Sequence, residues 1–255
     1  MNKDFGSKET AELNVPDKMN LFKRIGNLLF SPSKLFLYIK SKPSILFPII
    51  LICAAAIASQ LLIWEPTKNL AMDTMYRTYN TMGMSLSFEG MEQYVNAVMI
   101  ASLASSPFIY LAVWAVTTLV TYLAYKLVKC EKGLKKYFSM TGYIMLIFMA
   151  GQVINSIYIY LTGSISAAMV TSLASLLDPN LSGTFLFGLV SPIEVFNLWT
   201  FMLFGLGFVY TGGTEKKKTY ALTAILFVIV IFANAGMSLL RAGLQNSIMG
   251  NMGSF

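Results

Sequence analysis

The chain has 255 residues, 56% hydrophobic and 12% charged, against roughly 45–50% and about 25% in ordinary soluble domains. A mean hydropathy of +0.63, with 18 Phe and 13 Tyr and a formal net charge of +7, sets apolar surface against lipid and excludes a soluble globular protein. Histidine is absent, which excludes Ser-His-Asp and Cys-His relays, His-ligated zinc and haem on a proximal histidine.

A bilayer-crossing helix needs about 20 largely apolar residues, since about 30 Å of hydrocarbon is crossed at about 1.5 Å per residue. The first long apolar run comes only after residue 42, so no signal peptide is expected, and residues 1–20 read as a disordered cytoplasmic tail. Leu21, Phe22, Ile25, Leu28 and Leu29 then share one helical face, with Lys23, Arg24 and Asn27 opposite, the pattern of an amphipathic helix. With Lys34, Lys40 and Lys42 following, that helix either lies in the cytoplasmic interface, apolar face down, or packs on the ends of the spans. Apolar segments at about 43–64, 106–128, 139–161, 192–211 and 220–240 read as five transmembrane helices. The expected fold is an all-α integral membrane bundle with an N-terminal interfacial amphipathic helix.

The connection from Glu65 to Ser105 is long for a compact bundle and is expected to hold helices. Met72, Met75 and Tyr79 share one face, and Met91, Val95, Val98 and Leu103 another, with a break near Gly83 and Gly90. Between Thr162 and Val190, the spacing of Ile165, Met169, Leu173 and Leu176 predicts one short interfacial helix before Asp178-Pro179. Residues 241–255 read as an external tail. Helix starts are expected at Ser31-Pro32, Ser106-Pro107 and Ser191-Pro192, each with a hydroxyl at the N-cap and proline at the first helical position. Ser191-x-x-Glu194 has the form of a capping box.

Lysine and arginine set the orientation. Residues 1–42 hold eight of them, Lys126 to Lys136 five, and Lys216, Lys217 and Lys218 complete sixteen of nineteen. The opposite connections and the C-terminal segment hold Lys68, Arg77 and Arg241, together with Glu65, Asp73, Glu89, Glu92, Asp178 and Glu194. The N-terminus is therefore expected in the cytoplasm, the C-terminus outside, and the number of spans odd.

Few residues carry chemistry. Glu194 is the acidic residue within an expected span, a candidate ion site or a helix cap stabilising the first turn. Gln152 and Asn155 on the third span, Asn197 on the fourth and Asn234 on the fifth are candidates either for helix-to-helix contacts or for a polar cavity taking a lipid headgroup or small solute. Gly205 and Gly207 would let a neighbouring helix approach closely. Sixteen methionines, including Met72-x-x-Met75 and Met82-x-Met84, suit adaptable packing better than Cu(I), because no Cys or His backs them. Cys53 and Cys130 fall in a span and a basic connection, so neither a disulfide nor a thiolate site is expected. No cofactor and no metal site are expected. Lys126, Lys129, Lys132, Lys135, Lys136, Lys216, Lys217 and Lys218 form a basic cytoplasmic face that sets topology and can dock anionic lipid headgroups or an acidic partner. Nucleic acid is not expected as a partner, since no arginine-rich or aromatic platform accompanies the lysines.

Phe30-Ser31-Pro32-Ser33-Lys34-Leu35-Phe36 precedes the first span and Lys42-Pro43-Ser44-Ile45-Leu46-Phe47-Pro48 opens it. Phe196-Asn197-Leu198-Trp199 leads to Phe204-Gly205-Leu206-Gly207 in the fourth, and the basic link Lys126 to Lys136 is short. In these stretches, over residues 21–240, the chain resembles the Yip-domain family of five-span membrane proteins, whose eukaryotic members interact with Rab GTPases of the early secretory pathway. The richness in Lys, Ile, Asn and Met resembles a bacterial member from an AT-rich genome. What the resemblance then implies is an accessory role, such as association with a transporter or protection against membrane stress. The expected function is a non-enzymatic adaptor or accessory subunit for another membrane protein, with a homo-oligomer left open. The alternative is a transporter or lipid-handling protein using Gln152, Asn155, Asn197 and Asn234 around a polar cavity.

Overall fold

The structure is a computed structural model that describes residues 18–84 and 87–252. Its elements are helices: α1 (Leu21–Phe30), α2 (Pro32–Ser41), α3 (Leu46–Leu62), α4 (Trp64–Thr81), α5 (Phe88–Tyr125), α6 (Leu134–Thr162), α7 (Phe185–Val190), α8 (Val195–Tyr210) and α9 (Lys216–Met252), with short 3-10 turns at Lys126–Val128, Leu173–Leu176 and Pro179–Leu181. Among the described residues the sole β-type pairing is an isolated bridge between Ser172 and Glu194. The disordered tail expected over residues 1–20 falls on residues that, up to 17, lie outside those described; Met19 is 3% exposed, and the Asn20 side chain caps α1 by accepting the Lys23 N–H at 2.8 Å.

Every expected apolar segment is helical. The stretches Phe88–Val128, Leu134–Thr162 and Lys216–Leu244 are long and apolar enough to cross a membrane, and Leu46–Leu62 with Trp64–Thr81, bent by 55°, makes a fourth if taken as one span. The fifth segment, α8, has 16 residues, or about 24 Å, short of the usual hydrocarbon thickness. At 38 and 37 residues, α5 and α9 are longer than hydrocarbon requires. In α4, Met72, Met75 and Tyr79 form the half-buried face, while the ion pair of Asp73 and Arg77 (2.9 Å) lies on the exposed one. The break before α5 uses Gly83 at φ +65°, a left-handed conformation that costs a side-chain-bearing residue more. Gly90 instead sits inside α5, whose buried face is Met91, Val95 and Met99, while Val98 points outward.

Three local expectations are corrected. Ser106-Pro107 does not start a helix; Pro107 stands inside α5. Proline cannot donate to the carbonyl four residues back, that of Leu103, and the Ser106 hydroxyl donates to it instead at 3.1 Å. Ser191-Pro192 does not start one either. Ser191 closes α7, its hydroxyl donating to the Phe187 carbonyl at 2.7 Å, and α8 begins only at Val195, so no capping box forms there. The connection after α6 is no single interfacial helix: Ile165 and Met169 precede the turn that holds Leu173 and Leu176. Ser31-Pro32 does place proline in the first turn of α2, although the Ser31 side chain makes no capping bond.

The chain divides into two compact units. Unit 1 comprises residues 1–53, 110–149 and 196–228, and unit 2 residues 54–109, 150–195 and 229–255. Unit 1 has an aromatic core in which the rings of Tyr125 and Phe208 stack at 3.7 Å and Tyr137 stacks on Phe208 at 5.2 Å. Leu28, Leu35, Phe36 and Ile39 join it from α1 and α2. Gly205 and Gly207 work as expected: a Cβ at Gly205 would stand 2.9 Å from the Tyr220 ring, and one at Gly207 2.7 Å from the Met140 sulfur. Unit 2 has a smaller core around Ala168, Ala174 and Phe187.

Candidate functional site

Unit 1 gathers the lysine-bearing connections around a residue the charge pattern did not single out, Glu131. Its carboxylate receives Lys40 at 2.6 Å and Lys136 at 2.8 Å. Its N–H donates to the Gly212 carbonyl at 2.9 Å, and its carbonyl accepts the Tyr137 hydroxyl at 2.6 Å. Gly213, at φ +64°, leaves the space: a Cβ there would fall 2.4 Å from a Glu131 carboxylate oxygen. Partial burial opposes ionisation, but the hydrogen bonds and charges of Lys136 and Lys40 outweigh it and hold the carboxyl below its ordinary range. The one signal in the sequence was an acid standing alone in a run of lysines.

The eight lysines of the basic face do not behave alike. Lys136 is 8% exposed and spent on Glu131. Lys126 lies over the Tyr122 ring at 4.8 Å, Lys218 pairs with Glu215 at 2.6 Å, and Lys216 is also engaged. Lys129, in the left-handed conformation (φ 61°), turns the chain after α5. Lys129, Lys132, Lys135 and Lys217 are exposed.

Arg24, expected on the polar side of α1, points inward. Its guanidinium donates to the Met19 carbonyl at 2.9 Å and the hydroxyls of Tyr143 at 3.1 Å and Tyr38 at 3.2 Å. Leu28 is buried beside it, while Phe22 and Phe30 stay 88% and 85% exposed. The helix therefore packs on the protein with one flank and presents aromatic side chains with another.

In unit 2 the polar residues of the spans are joined to the connection after α6. Gln152 donates to the Met169 sulfur at 3.6 Å, Asn155 accepts the Val170 N–H at 3.0 Å, and the Thr171 hydroxyl donates to the Glu194 carboxylate. Leu173 N–H donates to the Ile193 carbonyl at 3.0 Å. These three side chains thus meet on residues 169–171 and fasten an irregular segment, Asn155 satisfying its Val170 N–H. Glu194 is 4% exposed. Asn234 stands elsewhere, donating to the Gly188 carbonyl at 2.7 Å, and α7 lies so close that a Cβ at Gly188 would be 2.6 Å from the Ala235 Cα. Asn197, near the start of α8, is also engaged. Within unit 2, Asn234 borders a cavity that Gln152 and Asn155 do not line.

The Yip1 domain model matches residues 26–237. The chain is also similar to a Bacillus subtilis (strain 168) protein, Membrane protein YknW, 27% identical over 237 residues, 92% of this chain and 94% of that protein. No solved structure matches it.

Proposed function

The chain belongs to the Yip1 domain family, and from that premise we propose that it is a non-enzymatic, multi-pass adaptor or accessory subunit of the cell membrane, recruiting or stabilising another membrane protein. The observation that carries this reading is the use of the half-buried amides. Gln152, Asn155 and Asn234 are bonded to the protein's own Met169, Val170 and Gly188, which favours helix-to-loop adhesion over a transport path. What is left for function is surface. On unit 1 that surface carries exposed lysines on a connection held in shape by Glu131, suited to an acidic partner or anionic headgroups.

The same lysines support a topology of five spans, with the N-terminus cytoplasmic and the C-terminus external. Counting five takes α3 and α8 as short spans, which thinning of the bilayer accommodates at modest cost. The alternative, a transporter or lipid-handling protein, draws on a cavity beside Asn234, but Gln152, Asn155 and Asn197 do not line it.

The test is crosslinking in native membranes followed by purification in mild detergent and mass spectrometry. A membrane protein should co-purify in near-stoichiometric amount with the unaltered chain and be lost when Lys129, Lys132 and Lys135 are replaced by Glu. Recovery of the bare chain alone counts against the adaptor reading.

A further inference from the structure

A cavity of about 350 Å³ opens in unit 2 among the connection after α6, α7 and residues 234–242 of α9. Its polar lining is Ser182, Ser191, Asn234, Ser238 and Arg241. Three of these give a donor to backbone: Asn234 one of its two amide N–H groups to the Gly188 carbonyl at 2.7 Å, Ser238 its hydroxyl to that of Thr184 at 3.1 Å, and Ser191 its hydroxyl to that of Phe187 at 2.7 Å. The guanidinium of Arg241, with five N–H donors, is the charged donor of the lining. Among the described residues no carboxylate lines the cavity. The other cations of unit 2 are matched, Lys68 by Glu92 at 2.8 Å and Arg77 by Asp73 at 2.9 Å.

A guanidinium fork fits two oxygens of a phosphate. We propose that this cavity binds a phosphate-bearing group, gripped by Arg241 with the Ser182 hydroxyl as a further donor. The site stands whichever partner the lysine-bearing connections engage. A phospholipid headgroup and a soluble phosphate ester offer the same chemistry, and two probes separate them.

The full chain in detergent is titrated by calorimetry with dihexanoylphosphatidylglycerol and, separately, with sn-glycerol 3-phosphate. Arg241→Gln should weaken binding about tenfold, the loss expected for a charge-assisted hydrogen bond in a partly exposed setting. Ala167→Trp, which obstructs the cavity at an exposed lining position and leaves the charge alone, should weaken it comparably. Arg77→Gln, which removes an exposed cation of the same unit already paired with Asp73, should leave both affinities unchanged. Binding of the lipid alone identifies a headgroup site, and equal dependence of both probes on Arg241 identifies a soluble ester. Unchanged affinities for both probes in either Arg241→Gln or Ala167→Trp overturn the proposal.

Discussion

Glu131 joins three parts of unit 1 through one carboxylate and two backbone groups, so its charge state is linked to stability. Its folded-state carboxyl is held low by Lys136 and Lys40 against the opposing effect of partial burial. A depressed carboxyl contributes stability that is present above its unfolded-state value and is lost as pH falls through the folded one. Thermal unfolding in detergent should show the melting temperature of the unaltered chain falling across that acidic window, with Glu131→Gln flatter there and lower at neutral pH. Because the side chain is 45% exposed, the neutral-pH loss should be no more than about 1 kcal/mol. Two glycines give a sharper contrast. At Gly188 a Cβ would press on the Ala235 backbone at 2.6 Å, whereas at Gly236 it would meet nothing within 4 Å. Gly188→Ala should therefore destabilise by about 1–3 kcal/mol, as overpacking does. Gly236→Ala, inside α9, should stabilise by about 0.5–1 kcal/mol through helix propensity. Opposite signs in the same unfolding assay confirm the close approach of α7; equal signs refute it.

At the scale of elements, the hydrophobic runs located α3, α6, α8, α9 and the second half of α5, because an apolar stretch of that length has one solution in lipid, whereas the polar α4 lay in what read as a connection. Their ends were less legible. Ser-Pro means a helix start in water, where an unmatched carbonyl is solvated; in α5 the same pair sits mid-helix, because breaking the helix would strand several backbone groups while Ser106 can serve the one that Pro107 abandons. Ser191 and Glu194 had the right spacing for a capping box, yet Glu194 is drawn to Thr171 and the bridge with Ser172, a pairing across more than twenty positions that no local pattern encodes. Arg24 is a similar case, since only the tertiary placement of Tyr38 and Tyr143 turns a surface cation inward. The α5 account is testable by a double-mutant cycle. Ser106→Ala should cost about 0.5–1.5 kcal/mol when Pro107 is present and much less with Pro107→Ala, where the residue-107 N–H again reaches Leu103. Additive losses would show that Ser106 does not compensate the proline.

For the molecule as a whole, charge is divided between the units: among the described residues fourteen Lys and Arg belong to unit 1, and three, with six acids, to unit 2. Such division is what the positive-inside rule produces when the lysine-bearing connections stay in the cytoplasm. It bears directly on α8, whose 16 residues leave it the weakest of the five proposed spans. In a Cys53→Ser, Cys130→Ser background, single cysteines replacing Lys132 or Lys217 should react with an impermeant maleimide only after permeabilisation. Cysteines replacing Ser164 or Asn180 should react from outside. Positions 180 and 217 flank α8 and positions 132 and 164 flank α6, so each pair tests one crossing separately. If 180 and 217 label together, α8 does not span and the odd count fails. If all four labels invert, the lysines face outward and the adaptor surface would have to be sought on the other side of the membrane.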